Sequence, residues 1–318
     1  MASLIVAGLV ALGWCFVALW IGPRLGYVDH PGMDSLKVHE RTAVPLGGVG
    51  VFLGFHFAAW IGERIDPALL AATTLVLVLG LIDDRRGLPP VLRLVVEIGA
   101  GVVVVAGTDV ATASWVMAVL GVSLVVFAVN AVNLFDGLDG LAGSVGMVAA
   151  FGVAALASSR GEIPDDALAL AAALAGFLVL AWHPARVFLG DSGAYVLGVI
   201  LAGLILRSSG GPAELLIASG LLGVFALDLL VTVIRRVRSR RPLFTGDRSH
   251  VYDQLKDRGV TIPVIVGIAV AAQAALAVVV VWVDARWSGV GGAVTLLAVV
   301  LGILAVIIGA GFLRVDPE

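Results

Sequence analysis

Apolar runs of about 16 to 20 residues alternate with short polar breaks along almost the whole chain. Eleven can be laid out, at 2–21, 46–62, 67–82, 91–107, 114–131, 141–158, 167–182, 193–207, 213–233, 263–283 and 289–313. As helix, a run of this size is long enough to cross a hydrocarbon core of roughly 30 Å. A helix also satisfies its own backbone in lipid, which an open strand cannot do. The pattern therefore predicts an all-α, polytopic membrane protein with about eleven transmembrane helices. No internal repeat, low-complexity tract or long linker divides it, so residues 1–318 read as one domain. The first run has no Lys or Arg before it and no small-residue cleavage site, and reads as a retained helix rather than a signal peptide.

Composition agrees: 60% of residues are hydrophobic and 14% charged, against roughly 25% charged in a soluble domain. Cys15 is the sole cysteine, which excludes an intrachain disulfide or a thiolate metal cluster. The net charge of −3 matters less than where the charges fall. Sixteen of the twenty Lys and Arg residues lie in 22–45, 83–93, 131–140, 183–194, 233–262 and 314–318, all on one side of the alternating runs. The other side holds Arg64, Arg160, Arg207 and Arg286. By the positive-inside rule the N terminus is outside, the C terminus is cytosolic, and the loops rich in polar residues face the cytosol. The outer loops carry acids such as Glu63, Asp66, Glu162, Asp165 and Asp166 in no arrangement that points to chemistry.

Three polar knots share the cytosolic side: Leu81-Ile82-Asp83-Asp84-Arg85, Asn133-Leu134-Phe135-Asp136-Gly137-Leu138-Asp139-Gly140, and Phe188-Leu189-Gly190-Asp191-Ser192-Gly193. Carboxylates and carboxamides at a membrane boundary are costly to desolvate and ask for a cation or a polar substrate. Asn133, Asp136 and Asp191 offer the oxygen donors that magnesium prefers, with waters and substrate phosphates completing its shell. On a continuing helix Asn133, Asp136 and Asp139 would share one face at spacings of three. Asn and Asp also cap helix ends, but three knots on one side favour a site. Gly47-Gly48, Gly137, Gly140, Gly190 and Gly193 sit beside these clusters, where close backbone approach to a phosphate is an alternative to plain packing. Lys37, in the first cytosolic loop, suits a phosphate-facing point charge. His39 reads more readily as structural, and His56 as a packed helix residue.

The ordered set Lys37-Val38-His39, Pro45-Leu46-Gly47-Gly48, Gly80-Leu81-Ile82-Asp83-Asp84, Asn130-Ala131-Val132-Asn133-Leu134 and Asp136 to Leu141 resembles one family. It continues in Val187 to Gly193, Asp228, Arg235-Arg236 and Gly246-Asp247-Arg248-Ser249-His250. The family is the polyprenyl-phosphate N-acetylhexosamine-1-phosphate transferases, which include the bacterial initiators of surface-polysaccharide assembly and the peptidoglycan translocase. The resemblance implies transfer of sugar-1-phosphate from a UDP-N-acetylhexosamine to undecaprenyl phosphate or a related polyprenyl phosphate in the bacterial plasma membrane. UMP and a lipid-diphosphate-sugar are the products. It implies a magnesium cofactor, replaceable by manganese, with Asp191 and Asn133 as ligands. It implies catalytic roles for Asp83, Asp84 and Asp136, and substrate contacts from Lys37, Asn130, Asp139, Arg248 and His250. Asp83 resembles the residue proposed in the family as base or nucleophile. Membrane lipid is the other partner, a homodimer is left open, and no nucleic acid is expected.

One departure bears on the donor. Ser249-His250-Val251-Tyr252-Asp253-Gln254 has a single histidine where the hexosamine enzymes and the peptidoglycan translocase typically show two or three. N-acetylglucosamine is the favoured sugar; a UDP-MurNAc-pentapeptide or another UDP-N-acetyl sugar is the alternative. An ion-coupled transporter fits less well, because its acids belong at midplane on broken helices in related halves.

Overall fold

The computed structural model describes residues 1–29, 42–108, 114–240, 250–287 and 289–313. Among them lie thirteen α-helices: α1 Ala2–Leu25, α2 Gly47–Ile61, α3 Pro67–Arg86, α4 Pro90–Ala106, α5 Trp115–Phe135, α6 Leu141–Ser159 and α7 Asp165–Ala181 come first. They are followed by α8 Gly190–Arg207, α9 Pro212–Ser219, α10 Gly223–Arg238, α11 Val251–Asp257, α12 Ile262–Arg286 and α13 Val290–Gly309. Eight helical stretches are long and apolar enough to cross a membrane, counting Pro212–Arg238 as one. The chain is a multi-pass helical membrane protein. The three remaining predicted runs are also helices, α2, α4 and α7, of 15, 17 and 17 residues.

The element ends differ from the sequence pattern for a common reason: a polar residue at the membrane boundary ends an apolar run without ending a helix. Thus α3 continues through Arg86, placing Asp83 and Asp84 in its last turns, while α5 continues to Phe135 and α10 to Arg238. The ninth run, predicted as one helix over 213–233, is interrupted by a 3-10 turn at Gly220–Leu222. The interruption frees backbone groups in an apolar setting, where each must find a partner. Gln273 of α12, fully buried, supplies both kinds: its Nε2 donates to the Leu221 carbonyl at 2.7 Å and its Oε1 accepts from Val224 N at 3.2 Å.

Helix α8 occupies the middle of the bundle. Every residue from Ser192 to Leu206 is buried, and the helix packs on α2, α3 and α5. Between apolar helices in lipid, close approach of small residues does what the hydrophobic effect does in water. A Cβ on Gly48 would lie 2.1 Å from Gly193 Cα, and one on Gly80 would lie 2.3 Å from Ser192 Cα. Backbones of α2, α3 and α8 therefore meet directly at the end of the bundle where the knots lie. The strand-like segment before α2 locks this arrangement. Val44 N donates to Arg186 O at 3.2 Å and Phe188 N to Val44 O at 3.0 Å. The first amides of α2, Gly47 N and Gly48 N, donate to the carbonyls of Phe188 and Leu189 at 2.9 and 3.0 Å. By contrast α1, α12 and α13 leave large apolar side chains such as Leu9, Val278 and Val306 exposed, as lipid-facing helices do.

Candidate active site

The three knots converge on one cavity of about 560 Å³. Six aspartates line it, Asp29, Asp83, Asp84, Asp136, Asp139 and Asp191, together with Asn133 and the backbone of Gly137 and Gly190. Among the described residues no Lys or Arg joins the lining.

Asp83 and Asp84 are adjacent on α3 and point to different partners. Asp83, 6% exposed, accepts from the Tyr195 hydroxyl at 2.6 Å and from Arg93 at 3.3 Å on one oxygen, and from Leu88 N at 2.6 Å on the other. Asp84 accepts from Asp191 N at 2.8 Å and Ser192 N at 3.2 Å, one oxygen to each. It caps α8 from a neighbouring helix, satisfying amides that no intrahelical carbonyl can reach. Gly190 makes this possible: its φ of +72° is one that L side chains rarely adopt, and a Cβ there would lie 2.7 Å from Pro45 O and 3.0 Å from an Asp84 oxygen. The cap fixes the start of α8, and with it Asp191.

Asn133 sits in the last turn of α5, and Asp136 is the residue at which the helix stops. The expectation that Asn133, Asp136 and Asp139 share a face of one continuing helix is therefore corrected: the chain leaves helical geometry after Phe135, and Asp139 falls in the turn before α6. All three line the cavity nonetheless. Asp139 is buried and braces the opposite wall, accepting from His183 Nδ1 at 2.7 Å and Ala185 N at 3.0 Å. Burial, then the charges of Asp191 and Asp139, push the Asp136 carboxyl up to about 7.

The other sequence candidates lie apart from the cavity lining. Asn130 donates to the buried Glu97 carboxylate at 2.5 Å and to Val126 O at 2.9 Å. His250 is buried against α10, its Nδ1 2.7 Å from Asp228 and 3.2 Å from the Thr232 hydroxyl. Lys37 and Arg248 lie outside the described residues, as does His39. Two residues that the sequence reading passed over stand at the site. Tyr195 lies within the apolar run 193–207, four residues after Asp191 and so on the same helical face. Arg93 counted only as a loop charge, and α4 instead presents it to Asp83.

A cavity with this lining suits a divalent cation. Burial first, and then the charges of Asp191 and Asp139, raise Asp136, and a cation among these carboxylates relieves the repulsive part. Among the described residues no three Asp, Glu, His or Cys side chains close a cage around one point. Magnesium does not need one, since one or two carboxylates plus waters and phosphate oxygens suffice.

Residues 67–209 match the family model described as glycosyl transferase family 4. A putative glycosyltransferase of Streptomyces coelicolor is 38% identical over 307 residues, covering 89% of this chain and 71% of that one. The probable undecaprenyl-phosphate N-acetylglucosaminyl 1-phosphate transferase of Bacillus subtilis is 27% identical, with 76% and 73% covered. The decaprenyl-phosphate N-acetylglucosaminephosphotransferase of Mycobacterium tuberculosis is 29% identical, with 75% and 71% covered.

Proposed function

The chain belongs to glycosyl transferase family 4, the polyprenyl-phosphate N-acetylhexosamine-1-phosphate transferases, and from that premise we propose that it transfers N-acetylglucosamine-1-phosphate from its UDP-sugar to undecaprenyl phosphate or a related polyprenyl phosphate. An oxygen of the lipid phosphate bonds to the phosphorus that carries the sugar. The bridging oxygen of the donor diphosphate leaves with UMP, and a lipid-diphosphate-sugar remains. The names of the Bacillus and Mycobacterium relatives support N-acetylglucosamine as the sugar. The observation that carries the reading is the six-aspartate cavity at the ends of apolar helices, which can accept a diphosphate only with cations beside it.

Asp191 and Asn133 would hold magnesium, or manganese in its place, with Asp136 bound directly or through water. When bound, the ion neutralises the diphosphate and stabilises the departing UMP. Asp84 keeps Asp191 in place through the α8 cap. Asp83 orients the attacking lipid phosphate or takes its residual proton; with both oxygens already accepting hydrogen bonds, it is a poor covalent nucleophile. Asp139 braces the wall beside Asp136. Lys37 and Arg248 would bring positive charge to the phosphates, and Asn130 and His250 would act from behind the cavity wall. All eleven runs cross the bacterial plasma membrane with the N terminus outside, so the cavity faces the cytosol, where nucleotide sugars are made, and the 1–318 domain works as one unit.

Purified protein supplied with labelled UDP-N-acetylglucosamine, undecaprenyl phosphate and magnesium tests this. The expected result is lipid-linked label and UMP in equal amounts, none with a chelator, and recovery when magnesium is returned. Asp191→Asn should fold normally and lose about 100-fold or more in turnover, the scale on which removing one preorganised charge-stabilising group acts. Full turnover in metal-free buffer would refute the metal assignment, and label moving across vesicles without a lipid product would refute the reaction.

A further inference from the structure

Tyr252 joins the C-terminal end of the basic cytosolic segment to the knot that carries Asn133 and Asp136. Its hydroxyl donates to the Leu134 carbonyl at 3.0 Å, in the last turn of α5, where carbonyls have no intrahelical partner. The ring lies on Gly137 so closely that a Cβ there would be 2.2 Å from the Tyr252 oxygen and 2.6 Å from ring carbons. Phe135 meets the ring edge-on at 5.8 Å, with Phe225 behind Phe135 at 5.2 Å. On its other face the ring stacks with His250 at 5.1 Å and 8°. His250 is tied to α10 through Asp228, which also accepts from Val251 N at 3.1 Å.

A continuous set of contacts thus runs from α10 through His250 and Tyr252 to the backbone between two candidate metal ligands. Nothing in the proposed chemistry needs a tyrosine here. A phenylalanine would fill the same space in the core. The hydroxyl reaches the Leu134 carbonyl, one of the two between Asn133 and Asp136 in sequence, at the point where α5 ends and the chain has least helical support of its own.

We propose that Tyr252 is a positioning residue, a latch that fixes the Asn133–Asp136 turn in the geometry that receives the divalent cation. This rests on the functional reading above and adds to it a residue that touches neither metal nor substrate. The latch makes the metal-binding turn depend on docking of α11, so the cytosolic segment and the cation site assemble together.

The test is a Mn²⁺ titration followed by electron paramagnetic resonance, on the full chain in nanodiscs, with no substrate present. The wild-type chain is compared with Tyr252→Phe, which keeps the ring and loses the donor, and with Gly137→Ala, which displaces the ring. Each variant is expected to bind Mn²⁺ about three- to tenfold more weakly, as loss of a hydrogen bond worth ~1 kcal/mol implies. The melting temperature of Tyr252→Phe should move little, and the magnesium needed for half-maximal UMP release should rise in step. If Gly137→Ala does not fold, Tyr252→Phe carries the test alone. Unchanged Mn²⁺ affinity in Tyr252→Phe, or a loss of melting temperature and turnover with affinity intact, overturns the latch. Saturable Mn²⁺ binding weakened by the variants supports it even if UDP-N-acetylglucosamine is not turned over, an outcome that defeats only the choice of reaction. A wild-type chain that binds no Mn²⁺ defeats both.

Discussion

Asp83 and Asp84 show how much one residue of offset changes a carboxylate's task. Asp84 spends both oxygens on the amides of α8, so Asp84→Ala should destabilise the fold by about 1–3 kcal/mol, the cost of unsatisfied buried donors, read by thermal unfolding in detergent. Asp83→Asn should also cost some stability, since an amide cannot accept from Leu88 N and from Tyr195 and Arg93 at once, but it is set apart by a rate loss that is greatest at low pH. The acceptor phosphate, with a second pKa of about 6, is then more protonated, and part of the rate should return between about pH 6 and 8. Exchange of labelled UMP into UDP-sugar without lipid would overturn this and show a covalent intermediate. Asp136 gives a second pH dependence. Its carboxyl, raised to about 7, keeps its proton at pH 6 in the metal-free protein. Cation and proton compete, so magnesium affinity should climb up to about pH 7 and flatten above it, with a proton released on binding near pH 6.5. Calorimetry in buffers of different ionisation enthalpy measures that proton. Without metal the same group costs stability as pH rises from its ordinary 3.8 through about 7, because the folded state holds the proton more tightly. The aspartates were legible in the sequence because charged residues beside long apolar runs are conspicuous. Tyr195, Arg93 and Tyr252 were not, since an aromatic in a span and an arginine at its edge have ordinary reasons to be there.

Among the helices, α8 sets the tolerance of the whole arrangement. Gly48→Ala or Gly80→Ala would drive a methyl group into the backbone of α8, which has no flexible side chain to move aside. A loss of about 1–3 kcal/mol is expected, as for overpacked cores, together with a loss of activity because α8 carries Asp191. Gly13→Ala is the control, having nothing within 4 Å of an added Cβ. The short α11, Val251–Asp257, lies in a polar stretch that the runs pass over, but the long apolar helices were readable from run length alone. Helix ends were not: the pattern responds to lipid contact, so it stopped at 82, 131 and 233 while the hydrogen-bond ladder continued to Arg86, Phe135 and Arg238. The break at Gly220–Leu222 was hidden for the converse reason, since it is as apolar as its flanks and is satisfied by a single glutamine from α12.

At the scale of the molecule, charges at the end opposite the cavity pair across helices. Arg64 of the α2–α3 loop reaches Asp166 of α7 at 2.6 Å, Arg207 of α8 pairs with Asp66 at the start of α3, and Arg160 after α6 pairs with Asp284 of α12. Three of the four basic residues that the sequence pattern assigns to the outer side are thereby paired with acids. The proposed topology predicts that a membrane-impermeant maleimide labels Glu162→Cys in intact cells, while Arg86→Cys reacts only after the membrane is opened. Native Cys15 is buried and leaves the background low. Labelling of Arg86→Cys from outside would invert the assignment. The Asp84 cap on α8 also has a history in time. Asp84 and Asp191 are 107 residues apart, so at ~5–20 residues per second a ribosome needs about 5–20 s to deliver the amides that Asp84 awaits. During that interval Asp84 has water and headgroups for company, while Asp83 has Leu88 N and Arg93 within ten residues of it. Arrival of α8 then turns that solvated carboxylate into a cap with both oxygens engaged.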